Sequence, residues 1–163
     1  MVRGFLHKQY FYSGSMTIEQ IMARLPYGKS FLFVDELLAV DGNGATGSYT
    51  FQPTLPFYGS HFSSYPVTPA VILTETMAQI GLVCLGIFLL DDIRTGTGLA
   101  MTSSSVEFLR PVYPGQKVFV SSEKIYFRFN KLSCRVKMEN TKGELVCKGI
   151  ISGMLTFRKD EQT

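Results

Sequence analysis

The chain has 163 residues, 45% of them hydrophobic and 18% charged, with 13 Phe and 8 Tyr; this suits one globular domain and excludes disordered and low-complexity classes. Sixteen Lys and Arg against 13 Asp and Glu leave a net charge of +3 with no long run of one sign. That balance lacks the dense basic stripe of a nucleic-acid binder and suits solubility or docking of an acidic partner.

Residues 1–16 show no clear period and read equally as a disordered arm, a short strand or an upstream start read through to Met16. No continuous apolar stretch of a signal peptide opens the chain. The domain is expected over residues 17–163. It starts with Thr17-Ile18-Glu19-Gln20, a capping hydroxyl with a glutamine three residues on. Ile18, Ile21, Met22 and Leu25 follow at helical spacing, predicting a short helix that ends before Pro26. Phe31 to Val40 is an apolar run broken by Asp35 and Glu36. Asp41-Gly42-Asn43-Gly44 then offers residues that accept positive φ in a tight turn, with Ala45 to Phe51 as the return strand. Gln52 to Thr68, with Pro53, Pro56, Pro66 and several serines, is an irregular loop of a length that is often functional.

A second helix is predicted from Thr68 as N-cap and Pro69 as first helical residue. Val71 to Leu90 is apolar on nearly every face, broken mainly by Thr74, Glu75, Thr76 and Gln79. The unbroken part, Ile80 to Leu90, spans 11 residues where a bilayer needs about 20, so the expectation is a buried core helix and no membrane span. After Asp91 and Asp92, four strands are predicted: Gly98 to Pro111, Gln116 to Phe129, Leu132 to Glu139 and Leu145 to Phe157. Cys134, Val136 and Met138 alternate with Ser133, Arg135, Lys137 and Glu139, the period of a half-solvated sheet. Val118 and Val120 fall out of phase with Ile125, Phe127 and Phe129, so a bulge is expected across Ser121 to Lys124. Turns at Asn130-Lys131 and Asn140 to Gly143 make the last three strands a meander. The fold class is α+β, a single domain with a curved antiparallel sheet wrapped round a long apolar helix. Cys84, Cys134 and Cys147, odd in number and widely spaced among apolar neighbours, read as reduced core thiols in a cytoplasmic protein.

His61 and Glu75 are the candidate chemical groups. His61 lies in the proline-rich loop, and Glu75 lies two turns into a helix where an unpaired charge costs several kcal/mol. Gln79, at i+4 from Glu75, shares its helix face and is placed to hold the carboxyl group. The amides of Ala70 and Val71 open the helix. An imidazole base, a sequestered carboxyl acid and open N–H groups suit removal of water from a 3-hydroxyacyl thioester. His7 lacks such a context and reads as a surface residue. The sequence has no Gly-x-Ser-x-Gly elbow, no dinucleotide fingerprint and no phosphate loop. Two histidines without a close cysteine pair are too few for a zinc site, so no metal is expected.

The order Leu25-Pro26-Tyr27, Phe31-Leu32-Phe33-Val34-Asp35, Pro56-Phe57-Tyr58-Gly59-Ser60-His61-Phe62 and Pro66 through Gln79 resembles the 3-hydroxyacyl-[acyl carrier protein] dehydratases of fatty-acid synthesis, the FabZ/FabA type. Phe108-Leu109-Arg110-Pro111-Val112-Tyr113-Pro114-Gly115 is similar to that family's Arg-Pro-Val-x-Pro-Gly segment. The resemblance runs from about residue 20 to 157. It implies a hot-dog fold, with His61 as catalytic base and Glu75 as acid or water-orienting carboxyl. It also implies that Gln79 supports Glu75 and that the Ala70 N–H binds the thioester oxygen. The site would lie at a homodimer interface, His from one subunit and Glu from the other, with a trimer of dimers left open. No cofactor is implied beyond the phosphopantetheine that carries the substrate on acyl carrier protein. Arg94, Arg110, Arg128 and Lys131 are candidates to dock that acidic carrier.

This chain departs from the family's Gly-His-Phe-Pro-Gly with Ser60-His61-Phe62-Ser63-Ser64. Ala70 replaces a glycine, and Ser30 stands where proline is common. The added methyl of Ala70 narrows or reshapes the substrate path, pointing to a specialised acyl or polyketide-like chain, so the expected setting is fatty-acid or specialised acyl or polyene biosynthesis. A hot-dog acyl-thioesterase and a non-catalytic subunit of a heteromeric dehydratase are the alternatives.

Overall fold

The computed structural model describes residues 16–90 and 97–157; the arm before Met16, His7 and Arg94 lie outside them. Helix α1 (Ile18–Ala23) starts as expected: Thr17 Oγ1 accepts from Gln20 N at 3.2 Å, and Gln20 Oε1 accepts from Thr17 N at 2.8 Å. Ile21 is fully buried against the core. Strands β1 (Glu36–Val40), β2 (Ala45–Thr50), β3 (Thr97–Phe108), β4 (Lys117–Arg128), β5 (Lys131–Asn140) and β6 (Leu145–Phe157) form one antiparallel sheet in the order β1-β2-β4-β5-β6-β3. The sheet packs round helix α2 (Ala70–Leu89), the hot-dog arrangement. At 20 residues α2 has the length and hydropathy of a bilayer span, but it is 72% buried inside the fold over its most apolar window.

The core is where α2 meets the inner rows of the sheet. Met77, Ile80, Leu82 and Leu85 lie against Val118, Val120, Leu132, Cys134, Val136, Met138 and Ile151, all at most 1% exposed. Close approach depends on Gly81, where a Cβ would stand 2.9 Å from Val136 Cγ1 and 3.0 Å from Ser122 Cβ. Gly81 sits in a π-helical turn, Gln79–Val83, closed by Cys84 N–H donating to the Gln79 carbonyl. One extra residue in that turn rotates the two halves of α2 relative to each other.

Several local expectations shift. The Phe31–Val40 run is strand only from Glu36, because Lys29–Phe31 forms a 3₁₀ turn. The Phe33 N–H and Phe31 carbonyl bond the Gln79 side chain in place of a neighbouring strand. The Asp41–Gly44 turn needs no positive φ; the Asp41 carboxylate accepts from Asn43 N (2.7 Å) and Gly44 N (3.0 Å). The β4 bulge falls between Lys124 and Tyr126. It leaves Ile125 43% exposed and returns Phe127 to the inner row opposite buried Leu132. The β4–β5 turn is Phe129-Asn130, one residue earlier than expected, closed by the Arg128–Lys131 pair. Ser133, expected on the solvated face, is buried and accepts from Ser152 Oγ at 2.8 Å.

Candidate active site

A 3₁₀ turn over Pro56–Gly59 starts the His61 segment, and His61 N–H closes it on the Phe57 carbonyl at 2.7 Å. His61 is half-buried, and its Nδ1 lies 2.8 Å from the Val67 carbonyl. A carbonyl can only accept, so Nδ1 carries the hydrogen, and in the neutral ring Nε2 keeps its lone pair. The Phe62 ring lies 4.4 Å from the imidazole, with Phe62 at φ 54.

Glu75 is half-buried in the second turn of α2, and its Oε1 accepts from Gln79 Nε2 at 2.9 Å. Gln79 is completely buried with its whole amide engaged. Its Oε1 accepts from Phe33 N at 2.8 Å, while Nε2 also donates to the Phe31 carbonyl at 2.9 Å. The amide cannot flip without setting oxygen against the Phe31 carbonyl and nitrogen against the Phe33 N–H, so it always presents N–H to Glu75. Tyr27 stands beside this group. Burial first, with smaller contributions from Glu75 and then Cys84, pushes its hydroxyl above the ordinary tyrosine value, so it stays protonated at neutral pH.

The start of α2 differs from the expected cap. Pro69 is the N-cap, with no side-chain bond to the first turn. Thr68 turns its hydroxyl to the Tyr58 hydroxyl at 2.5 Å and its N–H to the Val112 carbonyl at 2.8 Å. Ile72 and Leu73 amides reach back to the Pro69 carbonyl, whereas the Ala70 and Val71 amides have no acceptor among the described residues. Both residues are exposed, Val71 by 74%. Open amides at the positive end of a 20-residue helix are suited to receive a negatively charged oxygen.

Within the single chain, no hydrogen bond or ion pair joins His61 to Glu75. The docking candidates also divide. Arg110 donates Nη1 to the Leu145 carbonyl at 2.6 Å, near the start of α2. Arg128 and Lys131 flank the β4–β5 tip, where the Asn130 carbonyl accepts from Leu155 N and Arg128 lies 5.1 Å from the Tyr126 ring centroid. The length of β4, 12 residues or about 40 Å at ~3.3 Å per residue, separates the two ends. The sequence marks Tyr27 only as part of the Leu25-Pro26-Tyr27 motif, without a role at the site, and holds no signal for the Tyr65–Tyr113 hydroxyl bond of 2.8 Å beside the His61 loop.

The FabA-like domain model matches residues 25–149. The 3-hydroxyacyl-[acyl-carrier-protein] dehydratase FabZ of Rhizobium etli is 34% identical over 152 residues, covering 90% of this chain and 93% of that protein. The FabZ of Sinorhizobium medicae is 32% identical, covering 90% and 94%. Among solved structures, the dehydratase heterocomplex ApeI:P from Xenorhabdus doucetiae shares the fold with TM-score 0.71 at 12% identity, covering 85% of this chain and 91% of that one. A thioesterase from Haemophilus influenzae does so with TM-score 0.63 at 16% identity, covering 91% and 96%. With a family model covering most of its length and relatives above 30% identity along nearly all of it, this chain belongs to the FabA-like domain family.

Proposed function

We propose that the protein is a hydro-lyase that removes water from a 3-hydroxyacyl thioester carried on acyl carrier protein, giving the trans-2-enoyl thioester. His61 Nε2 takes a proton from the carbon next to the thioester carbonyl. The carbonyl oxygen gains negative charge and accepts N–H bonds from Ala70 and Val71. The carbon–oxygen bond at C3 then breaks, and the hydroxyl leaves as water with the proton that Glu75 supplies. Gln79 holds Glu75 in place throughout. The observation that carries this reading is the His61 ring, whose Nδ1 is occupied by Val67 O and whose Nε2 is left as a base.

The catalytic pair is completed by a second copy of the chain. Strand β3 has an unpaired edge, and Met101, Phe108 and Leu109 on and beside it are each more than 40% exposed, as is Val71 at the helix start. Pairing two copies along that edge covers this apolar surface and brings His61 of one toward Glu75 of the other. Arg128 and Lys131, either side of Phe129, offer charge to the acidic carrier. Three buried thiols without disulfides fit a cytoplasmic setting.

The test measures appearance of conjugated enoyl absorbance from a 3-hydroxyacyl-pantetheine thioester, alongside thiol release. Parent protein should form enoyl product without thiol. His61→Ala should lower turnover by at least about 100-fold with the fold intact. Dehydration at the parent rate by that variant overturns the role of His61, and thiol release without enoyl product identifies a thioesterase.

A further inference from the structure

The arc after His61 is held in a way that burial does not explain. Phe62 occupies the left-handed region at φ 54, a conformation that is strained for a bulky residue and persists only where surrounding contacts enforce it. Ser63 and Ser64 bring no restriction of their own, where the family pattern has proline and glycine. Phe62 and Tyr65 are each 63% exposed, so core packing is not what fixes them.

Among the described residues, one bond within the loop and two to Val112 and Tyr113 tie this segment down. Tyr58 to Thr68 and Thr68 to Val112 fix the end that enters α2. Of these three, the third, Tyr65 hydroxyl to Tyr113 hydroxyl at 2.8 Å, is the one that reaches the arc itself. The two rings meet edge to face at 5.8 Å. Tyr65 N–H also donates to the Phe62 carbonyl at 2.7 Å, so the tyrosine that is fixed externally also closes the turn containing Phe62. Tyr65 lies between His61 and Val67, the two residues whose 2.8 Å contact sets the imidazole tautomer. Any slack in the arc therefore acts on the His61–Val67 distance.

We propose that Tyr65 and Tyr113 form a latch that positions the His61 imidazole, acting through the arc to keep Nδ1 on the Val67 carbonyl and Nε2 free as the base. Both are positioning residues. Tyr113 occupies the variable place in Arg110-Pro111-Val112-Tyr113-Pro114-Gly115, directly before Pro114, which restricts its backbone and makes it a stiff anchor. The Tyr65 bond raises the Tyr113 hydroxyl above its ordinary value, so Tyr113 keeps its proton at neutral pH.

The kinetic arm of the test rests on the dehydratase reading; the spectroscopic arm does not. Nitrogen NMR of the full-length protein above pH 8, with His7→Gln to leave one histidine, reads the ring tautomer of His61. The parent should show Nδ1–H alone. Tyr65→Phe and Tyr113→Phe should each introduce the Nε2–H form, with melting temperature unchanged within about 3 °C. On a 3-hydroxyacyl thioester each should lower kcat about tenfold with KM within about twofold. The double variant should lose no more than the worse single one, because both changes remove one bond. Unchanged tautomer and kcat in both single variants overturn the latch, and so do losses that multiply in the double variant. A parent with no dehydratase activity that still shows the tautomer change upholds the latch and overturns the reaction assigned to the site.

Discussion

Phe129 shows how a single residue can be held against its own preference. It and Asn130 have φ of 51 and 60, the type I′ geometry that matches the twist of two antiparallel strands. Asn130 suits that geometry; a phenylalanine there crowds its Cβ against the backbone. Burial gives nothing back, since Phe129 is 91% exposed. Phe129→Asn should therefore stabilise the protein by about 1 kcal/mol and raise its melting temperature by about 2–4 °C, read by calorimetry. A lower melting temperature would mean that the ring makes a stabilising contact. Gln79 is the opposite case, with every polar atom used and none exposed. Its link to Glu75 is legible from i+4 spacing. Its two bonds to Phe31 and Phe33 are not, because they join residues 48 and 46 positions apart. Thr68 is hidden by a partner only 10 positions away: its hydroxyl is an N-cap by local pattern, yet Tyr58 captures it and leaves the helix amides open.

At the scale of elements, those written in alternation or helical spacing are legible and those shaped by remote partners are not. β5 and β6 follow directly from their patterns, and the phase slip between Val120 and Phe127 demands a bulge somewhere in β4. Its place at Ile125 was not in the pattern, because β2 also acts on that stretch: Ser122 Oγ bonds Ala45 N at 3.1 Å, and Lys124 N donates to the Asn43 carbonyl. The elements also set the titration of the core. Burial pushes Cys84 on α2, Cys134 on β5 and Cys147 on β6 up to about 12 from an ordinary 9.0. A raised folded-state pKa contributes stability below the unfolded value that is lost as pH rises toward the folded one, because the unfolded chain then releases protons first. Stability to urea should thus hold to about pH 9 and fall progressively between about pH 9 and 12. Native thiols should resist a disulfide reagent at pH 8 until the chain unfolds. Rapid labelling of any of the three in the folded protein would contradict this burial.

The whole molecule raises the question of where one site ends. His61 and Glu75, the pair most legible in the sequence, share no hydrogen bond or ion pair within the protomer, and the exposed edge of β3 supplies the surface on which two copies can meet. If each site takes His61 from one copy and Glu75 from the other, inactive variants must complement. In a mixed dimer of His61→Ala with Glu75→Gln, one site carries both changes and the other carries neither. Random reassortment of equal amounts makes half the dimers mixed, so about a quarter of parent activity should return after the two pure, inactive proteins are unfolded together and refolded. Refolding each alone should restore none. A pair contained within one protomer predicts no recovery at all, since every copy in the mixture lacks one member of its own pair. The mixing experiment thus decides between the two arrangements whatever the acyl chain in the assay.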